Sequence, residues 1–375
     1  MVHLNNAGAA LPTRQVLDSV VAHLELEARV GGYEAAMAHA DALAAPRLGL
    51  ATLLDVDADD LSIVQSDTAA WSKAFWGLAM TGWFDGGGRV IVDRAAYNSH
   101  YLSLLQARDR FGISIEAIDN LEDGSLSLAD LDRRLDPSVR MVTATHVGTH
   151  RGLVNPVAAV GERTRALGVP YFLDACQSTG QLRVDLSAIG CDVATGTGRK
   201  FLRGPRGTGW LFVRPEWSER MSPPGIDAAG ASWDGTERYT LAPRARRFDE
   251  FEFSYAARIG MGVAIGQTLA LGIDAIEQRI TGLAERLRAG LSGAGITTHD
   301  GGTRRSAIVT FSVPGRAADE VRTTLAAARI NFSVVAPPFA RLDMESRGLE
   351  HVVRASPHVY NTDEELDRLV QHAAK

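Results

Sequence analysis

The run VPYFLDACQSTGQ at 169 to 181, followed by GTGRKFLRGPRGTG at 196 to 209, decides how this chain is read. The first is a short apolar strand ending on a carboxylate, Asp174. The second carries Lys200 in a glycine-rich turn, with Gly198 before it and Gly204, Gly207 and Gly209 after, ahead of another strand, TGWLFV. Glycines at that density let a backbone turn tightly and approach its neighbours closely. Outward from this pair, β-rich runs LSIVQ (61 to 65), RVIVD (89 to 93), ISIEAID (113 to 119) and RMVTATHV (140 to 147) alternate with helix-period stretches at 68 to 80, 98 to 110 and 156 to 167. The last of these is expected to start with Asn155 as N-cap and Pro156 at the first helical position. Alternation of this kind predicts an α/β fold, a mostly parallel sheet covered by helices, with ligands at the carboxyl ends of the strands. Beyond residue 260 the pattern changes. GMGVAIGQTLALGIDAIEQRITGLAERLRAGL reads as one long helical stretch, followed by AIVTFSV, a helix near 318 to 328, NFSVV, HVVRAS and a closing helix. A large domain over 1–260 with an N-terminal arm and a smaller α+β domain over 261–375 are expected to share one cleft. The PPG at 223 to 225 reads as part of a long loop.

Composition narrows the function classes. The 375 residues are 45% hydrophobic and 22% charged, and no run approaches the roughly 18 apolar residues of a membrane span. A formal net charge of -6 without a Lys/Arg-rich block makes nucleic acid and anionic membranes unexpected partners, and points to a small-molecule ligand. The start MVHLNNAG has no secretory features, so a cytoplasmic location is expected. Two cysteines, Cys176 and Cys191, are too few for a disulfide framework and form no paired CxxC site. They are expected to be reduced and buried, and no metal site is expected.

Only Lys73, Lys200 and Lys375 among the 39 basic residues are lysine. GC-rich coding depletes lysine too, but lysine alone offers an amine that forms an imine with a carbonyl. Lys375 is terminal, and Lys73, in the helical TAAWSKAFWGLAM, is expected on a solvated face. An aspartate at a strand end is by itself an ordinary capping or loop residue. Together with Lys200, Asp174 supplies what pyridoxal 5'-phosphate (PLP) requires: a carboxylate that keeps the pyridine nitrogen protonated, and an amine for the imine.

The segment from Thr145 to Phe212, with THxxxxxGxxNPV, FLDACQSTGQ and GPRGTGWLF, resembles the class V aminotransferase family of fold-type I PLP enzymes, which includes cysteine desulfurases and C–S lyases. LNNAGAALP near the N-terminus, FEFSYAARIGMGVAIGQTLALG at 251 to 272 and RASPHVYNTDEELDRL at 354 to 369 extend the likeness over most of the chain. The resemblance implies a seven-stranded sheet in the large domain and a homodimer with shared active sites. It also implies roles. Lys200 is the imine lysine and Asp174 the partner of the pyridine nitrogen. Gln177 and Thr149 lie at the cofactor's phenolic oxygen, and Tyr97 stacks on the ring, where desulfurases commonly carry histidine. Asp67 and Thr68 match the phosphate loop at a helix start; Thr197 and Arg199 match further phosphate contacts, and Ser254 and Tyr255 those given by the partner subunit. Arg354 matches the residue that grips the substrate α-carboxylate, to which its planar fork is suited, with Asn6 near the same group. His146, His150 and Arg151, just past a strand, are candidates to face substrate, and Arg341 with the PPF at 337 to 339 to border the pocket for the S-substituent. Gly86, Gly87 and Gly88 precede a strand, the wrong order for a dinucleotide loop, and read as a turn.

A desulfurase needs a nucleophilic cysteine on a small-domain loop ahead of the carboxylate-binding arginine. Between Asn331 and Arg354 there is none, and neither Cys176 nor Cys191 is well placed to carry sulfur. The expected activity is therefore PLP-dependent β-elimination from an S-substituted L-cysteine, giving a thiol or sulfenate, pyruvate and ammonia. GGYEAA at 31 to 36 and RASPHVYNT add to the likeness to C–S lyases of ergothioneine and lincosamide biosynthesis, so a role in thiol or antibiotic biosynthesis is implied. Decarboxylation coupled to oxidative deamination, giving an aldehyde, is the alternative. Transamination and epimerisation also stay open, because the fold does not choose the bond broken. Intact Lys200 and Asp174 argue against a non-catalytic homologue.

Overall fold

A computed structural model describes residues 1–375, and the β-rich runs between 61 and 213 pair in it as one seven-stranded sheet. Across the sheet the order is Leu61–Val64, Gly209–Val213, Val193–Thr197, Tyr171–Asp174, Val139–Thr145, Gly88–Val92, Ile113–Ala117. Only Gly209–Val213 runs antiparallel to its neighbours. Alternate residues feed two apolar clusters: Val142, Ala144, Tyr171 and Leu173 face one way, Val90, Val92, Met141 and Phe172 the other. Helix Val157–Leu167 closes the first face through Val157 and Val160, and helix Asp67–Ala79 the second through Trp71, Phe75 and Leu78. Burial on both faces is why these strands read as continuous apolar runs.

Several expectations are corrected. Helix Val157–Leu167 begins one residue later than expected and has Pro156, without a side-chain bond, at its cap. Asn155 turns inward instead: its amide donates to the Thr145 carbonyl at 2.7 Å, closing the loop 146–154. The long helical stretch after 260 is two helices, Tyr255–Leu271 and Ile273–Gly293, bent by 84°. Gly272 makes the corner with φ 80°, a conformation costly for residues with a Cβ. The boundary expected at 260 thus falls inside the first helix. The N-terminal segment also sits with the C-terminal part: Val2–His3 pairs with Ile330–Asn331, and Val2, Leu4 and Ala7 pack in the cluster of Ile280, Phe311 and Leu369. The smaller sheet orders Thr297–Thr298, Val309–Ser312, Val352–Ala355 and Ser333–Val335, all antiparallel. Past the PPG the expected loop contains a hairpin, Ala231–Gly235 with Arg238–Leu241, whose Trp233 and Tyr239 are exposed. Lys73 is not on a solvated face: it is half-buried and its ammonium lies 2.9 Å from Glu250, carried by the segment packed over its helix.

Gly209 lets the returning strand cross the start of helix Asp67–Ala79. A Cβ there would lie 2.6 Å from the Ser66 carbonyl carbon and 2.8 Å from its Cα, backbone that cannot rotate away. Gly209→Ala is expected to lower stability by about 1–3 kcal/mol in equilibrium denaturation.

Candidate active site

Lys200 sits in a loop closed by backbone hydrogen bonds. Gly198 N–H donates to the Thr208 carbonyl (3.0 Å) and Gly204 N–H to the Gly198 carbonyl (2.7 Å). Arg203, at φ 62°, is held from outside: Nε donates to the Leu11 carbonyl at 2.9 Å and the guanidinium lies 4.7 Å from the Tyr360 ring centre. The Lys200 side chain is buried, with Nζ 3.1 Å from Cys176 Sγ and 6.0 Å from the Tyr97 ring centre.

The parallel strands deliver their carboxyl ends to the same edge. At the end of Tyr171–Asp174, Asp174 Oδ1 accepts from Cys176 N–H at 2.8 Å, and Oδ2 lies 3.7 Å from His100 Nδ1. Burial, then the nearby Asp67 carboxylate, raises the Asp174 pKa to about 6. Gln177 Nε2 donates to the Ala7 carbonyl (3.1 Å) and Thr149 Oγ1 (3.3 Å), while its Oε1 is buried without a partner. The same Thr149 hydroxyl accepts from Arg354 Nη1 at 2.6 Å, and Arg354 Nη2 reaches Asn5 Oδ1 at 3.3 Å. Arg354 Nε is left without a partner, and burial, with Arg199 nearby, lowers its pKa to about 10.

Tyr97, Thr149, Arg199, Lys200 and Arg354 line one cleft of about 320 Å³. Asn5, Arg206 and Phe339 also line it, and the sequence reading singled out neither Asn5 nor Arg206. Asn6, expected at the carboxylate, lies beside the cleft instead. It is fully buried, donates to the Ser356 carbonyl at 2.6 Å and takes the Tyr360 hydroxyl on its oxygen. Asn5 bridges to Ser356 as a strand would, so successive side chains point opposite ways and Asn5 takes the cleft side.

His150 and Arg151 also turn away from the cleft, because a buried carboxylate stands behind them. Asp343 lies 3.0 Å from His150 Nε2, 2.7 Å from Arg151 Nη1 and 3.0 Å from Arg347 Nη1. Burial alone would raise the Asp343 carboxyl, but these three groups hold it well below the usual carboxylate range. His146 is enclosed too, and burial pushes its pKa down to about 3, leaving a neutral ring. Arg341 is exposed and pairs with Glu345 one helical turn on, leaving Phe339 as the cleft contact from helix Pro337–Ser346.

At the expected phosphate loop, Ser66 is the cap, its hydroxyl accepting from Ala69 N–H at 3.1 Å. Asp67 points its carboxylate inward to His100 Nε2 at 2.9 Å, whereas Thr68 is exposed in the first turn. Thr197 donates its hydroxyl to the Thr208 carbonyl at 3.1 Å, and Arg199 donates to the Gly8 carbonyl. Ser254 caps helix Tyr255–Leu271 through Ala257 N–H at 3.2 Å, Tyr255 stacks on Phe253 at 4.4 Å, and neither lines the cleft. His100, which the sequence reading passed over, stands one turn after Tyr97, a spacing that puts both on one helix face.

The set suits PLP. Lys200 has a thiol where a structural lysine would have a carboxylate, Asp174 is a buried acid at a strand end, and Gln177 Oε1 and Arg354 Nε are orphaned where a polar ligand would meet them. Residues 2–369 match the family model described as Aminotransferase class-V. The chain belongs to the class-V aminotransferase family. It is 31% identical over 374 residues to a probable hercynylcysteine sulfoxide lyase of Mycobacterium tuberculosis, covering 99% of this chain and 89% of that protein. The apo structure of a cysteine desulfurase from Thermococcus onnurineus NA1 superposes with a TM-score of 0.91 at 22% identity, over 99% of this chain and 93% of that one. A C-DES variant with glycine covalently linked to its PLP cofactor superposes at 0.89 with 21% identity, over 100% and 96%. At such identities these likenesses are of fold. As a member of this family the protein is a PLP-dependent enzyme, and PLP is its cofactor.

Removing Asp343 leaves the Arg151 and Arg347 guanidiniums and the buried His150 ring facing one another with no carboxylate between them. Asp343→Asn is expected to lose about 3 kcal/mol at pH 7 in denaturant melts. Its folded-state pKa is depressed, so the carboxylate stabilises above the unfolded value of about 4 and the gap to wild type narrows as pH falls below it.

Proposed function

We propose that this enzyme is a C–S β-lyase acting on an S-substituted L-cysteine. One observation carries the reading: neither thiol is open to the cleft. Cys176 lies buried beneath Lys200, and Cys191 is buried below the sheet edge, both with thiols pushed up by burial. The wall ahead of Arg354 presents Ser333, Val334, Val335 and Phe339, which accept no sulfur. The 31% identical relative carries the name of a sulfoxide lyase, which agrees with this.

PLP, when bound, supplies an electron sink next to the substrate Cα. Lys200 and Asp174 would hold it, with Gln177, Tyr97 and the first turn of helix Asp67–Ala79 around it. Arg354 has five N–H donors; Thr149 and Asn5 orient the fork and leave Nε for the α-carboxylate. Lys200 Nζ takes the Cα proton. The Cα–H pair becomes the Cα–Cβ double bond, and the Cβ–S pair leaves with sulfur as a thiol or, from a sulfoxide, a sulfenate. Water then converts the three-carbon remainder to pyruvate and ammonia. Val334 and Phe339 offer apolar surface to the S-substituent. A homodimer belongs to the same reading: exposed Tyr33 and Phe251, 6.5 Å apart, flank the segment of Ser254 and Tyr255 and form a surface suited to a second copy.

Incubation of the holoenzyme with an S-alkyl cysteine is expected to yield pyruvate and thiol in equal amounts without oxygen uptake. Carbon dioxide with oxygen uptake and no pyruvate would sink the proposal, as would a keto acid formed only with an added amino acceptor. Lys200→Ala is expected to abolish turnover and to leave no cofactor fixed to the chain after borohydride reduction, read by mass spectrometry. Arg354→Ala is expected to lower kcat/KM by about a hundredfold, chiefly through KM.

A further inference from the structure

Asp67 and His100 form a buried pair that the steps above do not use. Asp67 opens helix Asp67–Ala79 and His100 lies in the first turn of helix Asn98–Phe111. Between them the imidazole is fully oriented: Nε2 is 2.9 Å from Asp67 Oδ2 and Nδ1 3.7 Å from Asp174 Oδ2. Its ring stacks on Trp71 at 4.1 Å and 12°, and meets Tyr97 edge-on at 5.7 Å and 79°. One nitrogen therefore faces each carboxylate, and the stacking fixes the ring plane.

Ligand atoms of Asp67, Asp174 and Cys176 lie within 4.8 Å of one another, all buried. Two buried carboxylates this close do not both stay ionised without positive charge between them. Lys200 is near, but its amine would hold PLP and move the substrate proton, so it is not a fixed partner for the two carboxylates. The other groups facing the cluster are the neutral Cys176 thiol, the Tyr97 phenol and, towards Asp174, the Asp93 carboxyl. His100 is the one remaining cation.

We propose that His100, oriented by Asp67, is a positioning residue that keeps Asp174 ionised to hold the protonated ring nitrogen of PLP. Titration directions agree with this arrangement. Burial lowers His100, but Asp67 and then Asp174 outweigh it and its pKa is raised; burial raises Asp67, but His100, with Thr195 and Lys200, outweighs it and Asp67 is lowered. The pair thus carries its proton on His100. The inference rests on the cofactor and stands whichever substrate bond breaks.

The test is PLP binding to the apoenzyme across mildly acid to mildly alkaline pH, read by dissociation constant and visible absorbance. Without His100, Asp174 protonates at higher pH, so in His100→Gln the midpoint below which affinity falls is expected to move up by about one unit or more. Asp67→Asn is expected to move it the same way, and the double variant no further than the larger single change. Asp67→Asn keeps the side-chain size, so it reads the same midpoint should His100→Gln fail to fold. Unchanged midpoint and affinity, with only a lower melting temperature, would overturn the proposal. So would a double variant whose shift is the sum of the singles, since the two residues would then act separately.

Discussion

The closure of the loop from Gly198 to Thr208 is the constraint on which the site depends. Its two backbone hydrogen bonds fold the chain so tightly that a Cβ on Gly198 would lie 2.2 Å from Thr208 Oγ1. The return strand then runs against Ser66, at the start of helix Asp67–Ala79. The lysine and the anion-favouring helix start are thus placed by one backbone path. The N-terminal segment locks this path from outside: Ala10 N–H donates to the Arg199 carbonyl at 2.9 Å, and the Leu11 carbonyl takes Arg203. That segment is also stitched to the smaller sheet at Asn5 and Ser356. Residues 1–11 therefore tie the lysine loop to the strand of Arg354.

Charge is sorted across the cleft. Lys200, Arg199, Arg206 and Arg354 line it, and no carboxylate does. The acids lie behind, at the sheet edge: Asp174, Asp67 and Asp93, all buried. An anionic cofactor would meet cations where it enters, as would the α-carboxylate of the proposed substrate, while Asp174 would give the ring nitrogen its negative partner. Burial is what gives this sorting its strength, since screening by water is weak there.

The parts that the sequence foretold are those set by neighbours in the chain. Apolar runs became the strands of the large sheet, and Lys200 and Asp174 met because parallel strands end on one edge. The misreadings have a different cause: most turned on a partner outside the local pattern, and one on the backbone angle of a single glycine. Asn155 looked like a cap until Thr145 claimed its amide, and His150 and Arg151 faced a carboxylate nearly two hundred positions away in sequence. Asn5 and Asn6 differ only in which side of one bridge they take. A helix-period pattern spans Gly272 without a break, and only its positive φ bends the axis. His100 was within reach, one turn from Tyr97, but an isolated histidine gives no sign of its partners.

Cys176 bears on the choice between sulfur transfer and elimination. A sulfur acceptor must be a thiolate that the substrate's Cβ substituent can reach. Cys176 fails on both counts: burial, then Asp67, raises its thiol, and it is buried beside Lys200, outside the lining of the cleft. Its sulfur instead accepts a hydrogen bond from Lys200 Nζ at 3.1 Å, a weak partner for the amine in place of a carboxylate. A lysine surrounded in this way and an apolar wall at Val334 and Phe339 support the proposed elimination, in which sulfur leaves with its substituent attached.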